Sequence, residues 1–212
     1  MKKQRYRKVN LFLDFYRLSR EWVQFYSRSF QSPYPTLIKM KTLTSNSISH
    51  APWIETGTYR GSTTRYLAKR YPKVISIEPS TVFYEYASSR LKHFRNVHLV
   101  FGRSEDVFEN LLKSTAPEVN IWLDGHYSDG GTYLGDSVTP ILSEIEVISK
   151  NLQSFSGLAI FIDDVRLFQK MLGDDSGYPP LIDLINWCSI NSLRWDIQND
   201  ILIITKKDSA HS

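Results

Sequence analysis

Leu11, Phe15, Leu18, Trp22 and Phe25 recur at three- and four-residue steps, the spacing of an apolar stripe along a helix. Arg17, Arg20, Gln24 and Arg28 supply the polar side, and the helix is predicted over 9–30. Ser32-Pro33-Tyr34-Pro35 ends it, because a residue that precedes proline is held out of the helical region. A shorter helix is predicted over 36–46. From residue 50 the pattern changes. Short apolar runs at 53–57, 74–78, 97–101, 120–124 and 158–163 read as strands. Helical stretches follow them, over 61–71, 80–94, 104–113, 139–152 and 179–190, with a Gly-rich loop at 125–136 before the fourth. The last two runs, 193–198 and 201–206, flank Asn199-Asp200, a tight-hairpin signal.

Strands that alternate with helices imply parallel pairing through right-handed crossovers, hence an α/β domain. Nearly all-apolar strands suit a sheet covered on both faces. A closing hairpin makes the last strand antiparallel. The chain divides into a basic, helical extension over 1–49 and an α/β domain over 50–212.

The net charge of +4 changes the picture little, because Lys2, Lys3, Arg5, Arg7 and Lys8 all fall in the first eight residues. The body is near neutral and shows no basic stripe of the kind that binds nucleic acid, so no nucleic-acid partner is expected. No apolar run approaches the roughly 20 residues of a membrane span. Asp14, Arg17, Arg20 and Glu21 interrupt the segment where a secretory signal would be apolar. A soluble, cytoplasmic protein is expected. Cys188, the single cysteine, lies in an apolar run and reads as a buried thiol.

In an open parallel sheet, ligands bind beyond the carboxyl ends of the strands. Here every such end carries acidic or small polar groups: Glu55, Gly57 and Gly61; Glu78; Ser104 and Glu105; Asp124 with His126; Asp163-Asp164. A sheet with only a structural role has no need of them, since each buried carboxylate costs desolvation. Gly57 and Gly61 would let a ligand approach the first turn, and the helix starting near Ser62 would offer backbone N–H groups. Glu78 is placed to accept hydrogen bonds from ribose hydroxyls. Carboxylates on neighbouring strand ends repel unless a cation lies between them, and hard oxygen donors favour Mg²⁺ or Ca²⁺. The alternative is that Asp163 or Asp164 caps a turn or pairs with Arg166, with no metal. His126 could act as general base, as a metal ligand, or only as a hydrogen-bond partner within its loop. Residues 128–132 could form a lid or a plain loop, and Tyr59, Tyr127, Tyr133 and Arg166 could contact substrate.

The segment from Trp53 to Ser80 resembles the first two motifs of class I S-adenosylmethionine-dependent methyltransferases. WLDGHYSDGGT (122–132), TPILSEIE (139–146) and FIDDVRLF (161–168) resemble a bacterial subgroup akin to the macrocin-type sugar O-methyltransferases. The resemblance implies a Rossmann-like three-layer sandwich, whose seven-stranded, mostly parallel sheet runs 3-2-1-4-5-7-6 behind the N-terminal helical extension. It implies that Glu55, Gly57 and Gly61 wall the amino-acid end of S-adenosylmethionine, with Thr58, Ser62, Thr63 and Asp124 also among the cofactor-binding residues. Glu78 would hold the ribose, while Ser104 and Glu105 face the adenine; Arg103 departs from the Asp that the family often has there. Asp124, Asp163 and Asp164 match the Mg²⁺ site of that subgroup, and Asp124 and His126 become the catalytic candidates. The acceptor would be a small-molecule or sugar hydroxyl, and the N-terminal helix is a candidate lid or homodimer element.

Other classes compete. A nicotinamide-dependent oxidoreductase would want G-x-G-x-x-G, but Tyr59 stands where the second Gly belongs. A metal-dependent hydroxylase on the same fold and a non-catalytic nucleotide-binding module are the remaining alternatives.

Overall fold

The computed structural model describes residues 11–115, 117–124, 139–168 and 178–206. Seven strands form one sheet: β1 (Trp53–Thr56), β2 (Val74–Glu78), β3 (Val97–Phe101), β4 (Glu118–Leu123), β5 (Gly157–Ile162), β6 (Arg194–Gln198) and β7 (Ile201–Thr205). Their order is β3-β2-β1-β4-β5-β7-β6, as predicted. The first five strands pair in parallel, and β7 runs antiparallel to both β5 and β6. The hairpin turns at Asn199 and Asp200 with φ of 53° and 69°, the left-handed pair that a type I′ turn requires. Strand order reverses between β1 and β4, so their carboxyl ends mark the crevice of a doubly wound sheet.

The helices are α1 (Leu11–Ser27), α2 (Thr36–Asn46), α3 (Ser62–Ala68), α4 (Thr81–Leu91), α5 (Ser104–Lys113), α6 (Ile141–Asn151) and α7 (Leu181–Ile190). On one face of the sheet, Ile54, Ile121 and Ile160 pack with Phe108 of α5, Ile148 of α6, and Leu184 and Cys188 of α7. On the other, Trp53, Trp122 and Phe161 pack with Leu43 of α2 and Leu67 of α3. Successive strand residues thus serve opposite layers, and Cys188 is buried as expected.

Double-sided cover holds for β1, β2, β4, β5 and β7 but not for the two edges. On β3, His98 and Phe101 are exposed, and β6 is exposed from Arg194 to Ile197. Helix α3 also stops earlier than its apolar pattern suggests. The Asn96 side-chain amide donates to the carbonyls of Ala68 and Tyr71 at 2.8 and 2.9 Å, terminating the helix from outside.

Two side chains seat the N-terminal helices on the sheet. Asn120 of β4 accepts from the Ile48 N–H at 2.8 Å and donates to the Ile48 carbonyl at 2.9 Å, holding the segment between α2 and β1. Glu21 of α1 accepts from the Thr36 N–H and hydroxyl at 2.9 and 3.0 Å, satisfying a free donor at the start of α2. Helix α2 is thereby fixed with Leu43 in the core and Lys39, one turn earlier, at the carboxyl edge of the sheet. No helix among the described residues is long and apolar enough to cross a membrane.

Candidate functional site

Parallel register carries the strand ends to a common level. The N–H of Asp124 donates to the Thr56 carbonyl and that of Asp163 to the Leu123 carbonyl, each at 3.1 Å. The N–H of Gly102 donates to the Glu78 carbonyl, also at 3.1 Å. Glu55, Glu78, Asp124, Asp163 and Asp164 therefore share one rim, the gathering that the sequence predicted.

The turn from β1 to α3 is shaped by Gly57, Tyr59 and Gly61, with φ of 88°, 48° and 68°. A side chain on Gly61 would put its Cβ 2.8 Å from Leu91 Cδ1 and 3.6 Å from Ala87 Cβ. Close packing against α4 and backbone conformation both call for glycine there. Thr58 is buried, and its hydroxyl lies 2.5 Å from that of Ser76. Ser62 and Thr63 open α3, half-buried.

Glu55 is buried, and its Oε2 accepts from the hydroxyls of Thr64 at 2.6 Å and Ser76 at 2.7 Å. Burial pushes its carboxyl up to about 7 despite both bonds, with the nearby Glu78 adding repulsion. Glu78 is held by two backbone amides, Oε2 by Tyr59 at 2.6 Å and Oε1 by Ser80 at 2.9 Å. Burial raises its pKa as well, against the pull of those amides. Both carboxylates are pre-oriented, and each oxygen has more than one acceptor position.

Ser104 is buried at the start of α5, whereas Glu105 is exposed and pairs with Arg103 at 3.3 Å. Beside Ser104 lies Glu144 of α6, a residue that the sequence reading did not single out. It is fully buried, and neither carboxylate oxygen has a partner within hydrogen-bonding distance; the Thr56 hydroxyl is in the same condition. Burial, the largest cause, pushes the Glu144 carboxyl up to about 7.

At the far end of the rim, the charge pattern differs from the expectation of a metal. Lys39 Nζ lies 2.7 Å from Asp163 Oδ1 and 2.7 Å from Asp164 Oδ1. Arg166 donates to Asp164 at 2.6 Å and also bonds Asp200 from the β6–β7 hairpin. Burial works against the charge on Lys39, but Asp163, Asp164 and Asp124 outweigh it and raise its pKa. Burial likewise works against ionised Asp164, yet Lys39 and Arg166 bring its pKa down to about 2. Asp163 and Asp124 go the other way: burial and carboxylate repulsion raise both, against Lys39. Among the described residues, no group of three His, Cys, Asp or Glu is arranged to hold a metal ion. The residues present do not fit Mg²⁺, because an ammonium already bridges two of the three aspartates expected to bind it. Pairing of Asp164 with Arg166, the alternative left open by the sequence, is what the structure shows.

A cavity of about 270 Å³ opens between the N-terminal helices and this rim. Arg28, Tyr34, Lys39, Thr63, Asp124 and Asp163 line it. Neither Lys39 nor the roof residues carried a motif. The one signal was a lysine set one helical turn before Leu43, on the buried side of α2. His126, Tyr127, residues 128–132 and Tyr133 lie outside the described residues.

The fold is shared with solved methyltransferases. A protein assigned as a caffeoyl-CoA O-methyltransferase from Staphylococcus aureus superposes with a TM-score of 0.54 at 15% identity, covering 92% of this chain and 97% of that one. An assigned rRNA methylase from Clostridium thermocellum gives 0.52 at 14% identity, covering 84% and 100%. SMU.1697c from Streptococcus mutans, assigned as a methyltransferase and solved in complex with SAH, gives 0.51 at 13% identity, covering 82% and 98%. No protein-family profile matches the chain, and no curated protein does.

Proposed function

We propose that this protein transfers a methyl group from S-adenosylmethionine to a hydroxyl of a small molecule or sugar. The observation that carries the reading is the pair Glu55 and Glu78, buried and pre-oriented on either side of the turn at the switch point. S-adenosylmethionine fits what this rim lacks. Its ammonium answers the carboxylate of Glu55, which burial has pushed up to about 7. Its ribose hydroxyls suit the remaining acceptor positions of Glu78. Ser104 and Glu105 are proposed to face the adenine, and Thr58, Ser62 and Thr63 to support the amino-acid end. The bound cofactor supplies a methyl group on a cationic sulfur. What remains for the chain is alignment, proton removal and exclusion of water.

The cavity under α1 and α2 is proposed to receive the acceptor, because its lining mixes polar and apolar side chains and includes Asp124 and Thr63. Burial and the neighbouring Asp163 raise the pKa of Asp124, which suits it to take a proton from a hydroxyl. His126, two residues later, is the second candidate for that proton. A sugar or other polyol is preferred over RNA because the near-neutral body of the sequence shows no basic stripe. The macrocin-type subgroup remains part of the proposal, but its Mg²⁺ does not.

Glu78→Ala is expected to weaken S-adenosylmethionine binding roughly 10- to 100-fold, the range for losing charge-assisted hydrogen bonds. Titration calorimetry on a variant whose melting temperature is within a few degrees of wild type reads this directly. Unaltered affinity would remove Glu78 from the cofactor site.

A further inference from the structure

Three aspartates converge where β4 and β5 end, and three negative charges in a half-buried space need a counter-charge. The structure supplies it covalently. Lys39 reaches from α2 to Asp163 and Asp164, partners 124 and 125 positions away in the chain, at 2.7–2.8 Å. Its ammonium contacts both oxygens of Asp163 and one of Asp164. Its side chain is 15% exposed, so the pair is well shielded from solvent. The ammonium is presented by a helix locked at both ends: Glu21 caps its start, and Asn46 near its end donates to Gln198 at 3.2 Å. Arg166 and the Asp163 N–H to Leu123 bond hold the aspartates from the other side.

We propose that Lys39 is a built-in cation that takes the place of a divalent metal, so that Asp124, Asp163 and Asp164 bind no metal ion while it is present. A metal between these groups would have to displace a lysine that is itself paired with two carboxylates. Mg²⁺ gives up its water reluctantly and would have to keep octahedral geometry at about 2.0–2.1 Å. A tethered ammonium steadies a nearby oxygen anion but opens no coordination position. An acceptor chelated through two oxygens is therefore not called for; that consequence alone rests on the methyl-transfer reading.

The test uses Mn²⁺ as the probe and does not depend on turnover. Wild-type protein, Lys39→Met and Lys39→Arg are titrated with Mn²⁺ near neutral pH, and bound ion is counted by electron paramagnetic resonance. Melting temperatures are recorded with and without about 1 mM Mn²⁺. The expected result is no stoichiometric ion and no thermal shift for wild type and Lys39→Arg. Lys39→Met is expected to bind one ion and to gain on the order of 5 °C from it, by linkage of binding to folding. One bound ion in the wild-type protein, lost in Asp163→Asn, overturns the proposal. A folded Lys39→Met that binds none also overturns it, since the aspartates would then not be a metal site held closed by lysine. If Lys39→Met fails to fold without metal, recovery on adding Mn²⁺ supports the proposal and failure to recover counts against it. Failure of S-adenosylmethionine binding leaves these outcomes untouched, so the two readings fail separately.

Discussion

Lys39→Met is expected to lower the stability of the fold by about 3–5 kcal/mol at about pH 8, the penalty for removing one partner of a buried ion pair. For a chain of this size that is a drop in melting temperature of roughly 10 °C. The loss is large because the side chains left behind, Asp163 and Asp164, are only 7% and 9% exposed and would face each other without compensation. The sign of the pH dependence follows. In the wild type, Asp164 has its pKa depressed from 3.8 to about 2, so its contribution is present above pH 3.8 and is lost as pH falls through about 2. Without the ammonium the same carboxyls are pushed upward and can take protons as the pH falls. The variant should therefore lose least near pH 5 and most near pH 8. Thermal melts of the two proteins across that range decide the matter: a deficit that is small and flat with pH would mean that Lys39 is only loosely engaged.

Glu144→Gln is expected to do the opposite and stabilise the protein. The folded carboxyl has its pKa raised from 4.5 to about 7, so its favourable state is the protonated one. That contribution is complete below pH 4.5 and is lost as the pH rises through about 7. The difference amounts to about 3 kcal/mol against the wild type at about pH 8, from 1.36 kcal/mol for each pKa unit. A neutral amide avoids the penalty, so the variant should melt several degrees higher at pH 8 and nearly level with wild type at pH 4.5. Denaturant titrations at the two pH values measure it, and a destabilised Glu144→Gln at pH 8 would show that the carboxylate has a stabilising partner. A residue that weakens the fold in this way, next to Ser104 at the rim, is of the kind that local design rules lead one to expect at a binding site.

Much of this architecture was written locally. Apolar runs of strand length, closed by acidic or small polar residues, gave the parallel strands and the rim together, and Asn199-Asp200 gave the hairpin. These features depend on neighbours within a few residues. Other features depend on partners far away in the chain. Lys39 looks like an ordinary helix lysine until α2 is seated by Asn120 and Glu21, and only then do Asp163 and Asp164 come within reach. The expectation of Mg²⁺ gains no support for that reason: the sequence displayed the carboxylates but not the cation beside them. The contact of Gly61 with Leu91 of α4 spans 30 positions of sequence, so the packing demand for glycine there had no local signal. Glu144 was hidden by its place among the apolar residues of α6, where a glutamate normally reads as the solvated side of a helix.

A rim of buried carboxylates on this sheet is proposed to bind S-adenosylmethionine, with Glu55 answering its ammonium. Titration calorimetry of the full chain with S-adenosylhomocysteine, at about pH 8 and about pH 6, tests it most directly. The account predicts saturable binding of one molecule per chain at pH 8, and up to tenfold weaker binding at pH 6, because Glu55, with its pKa near 7, must give up a proton to bind. No saturable binding at either pH, or binding of NAD in its place, would contradict it.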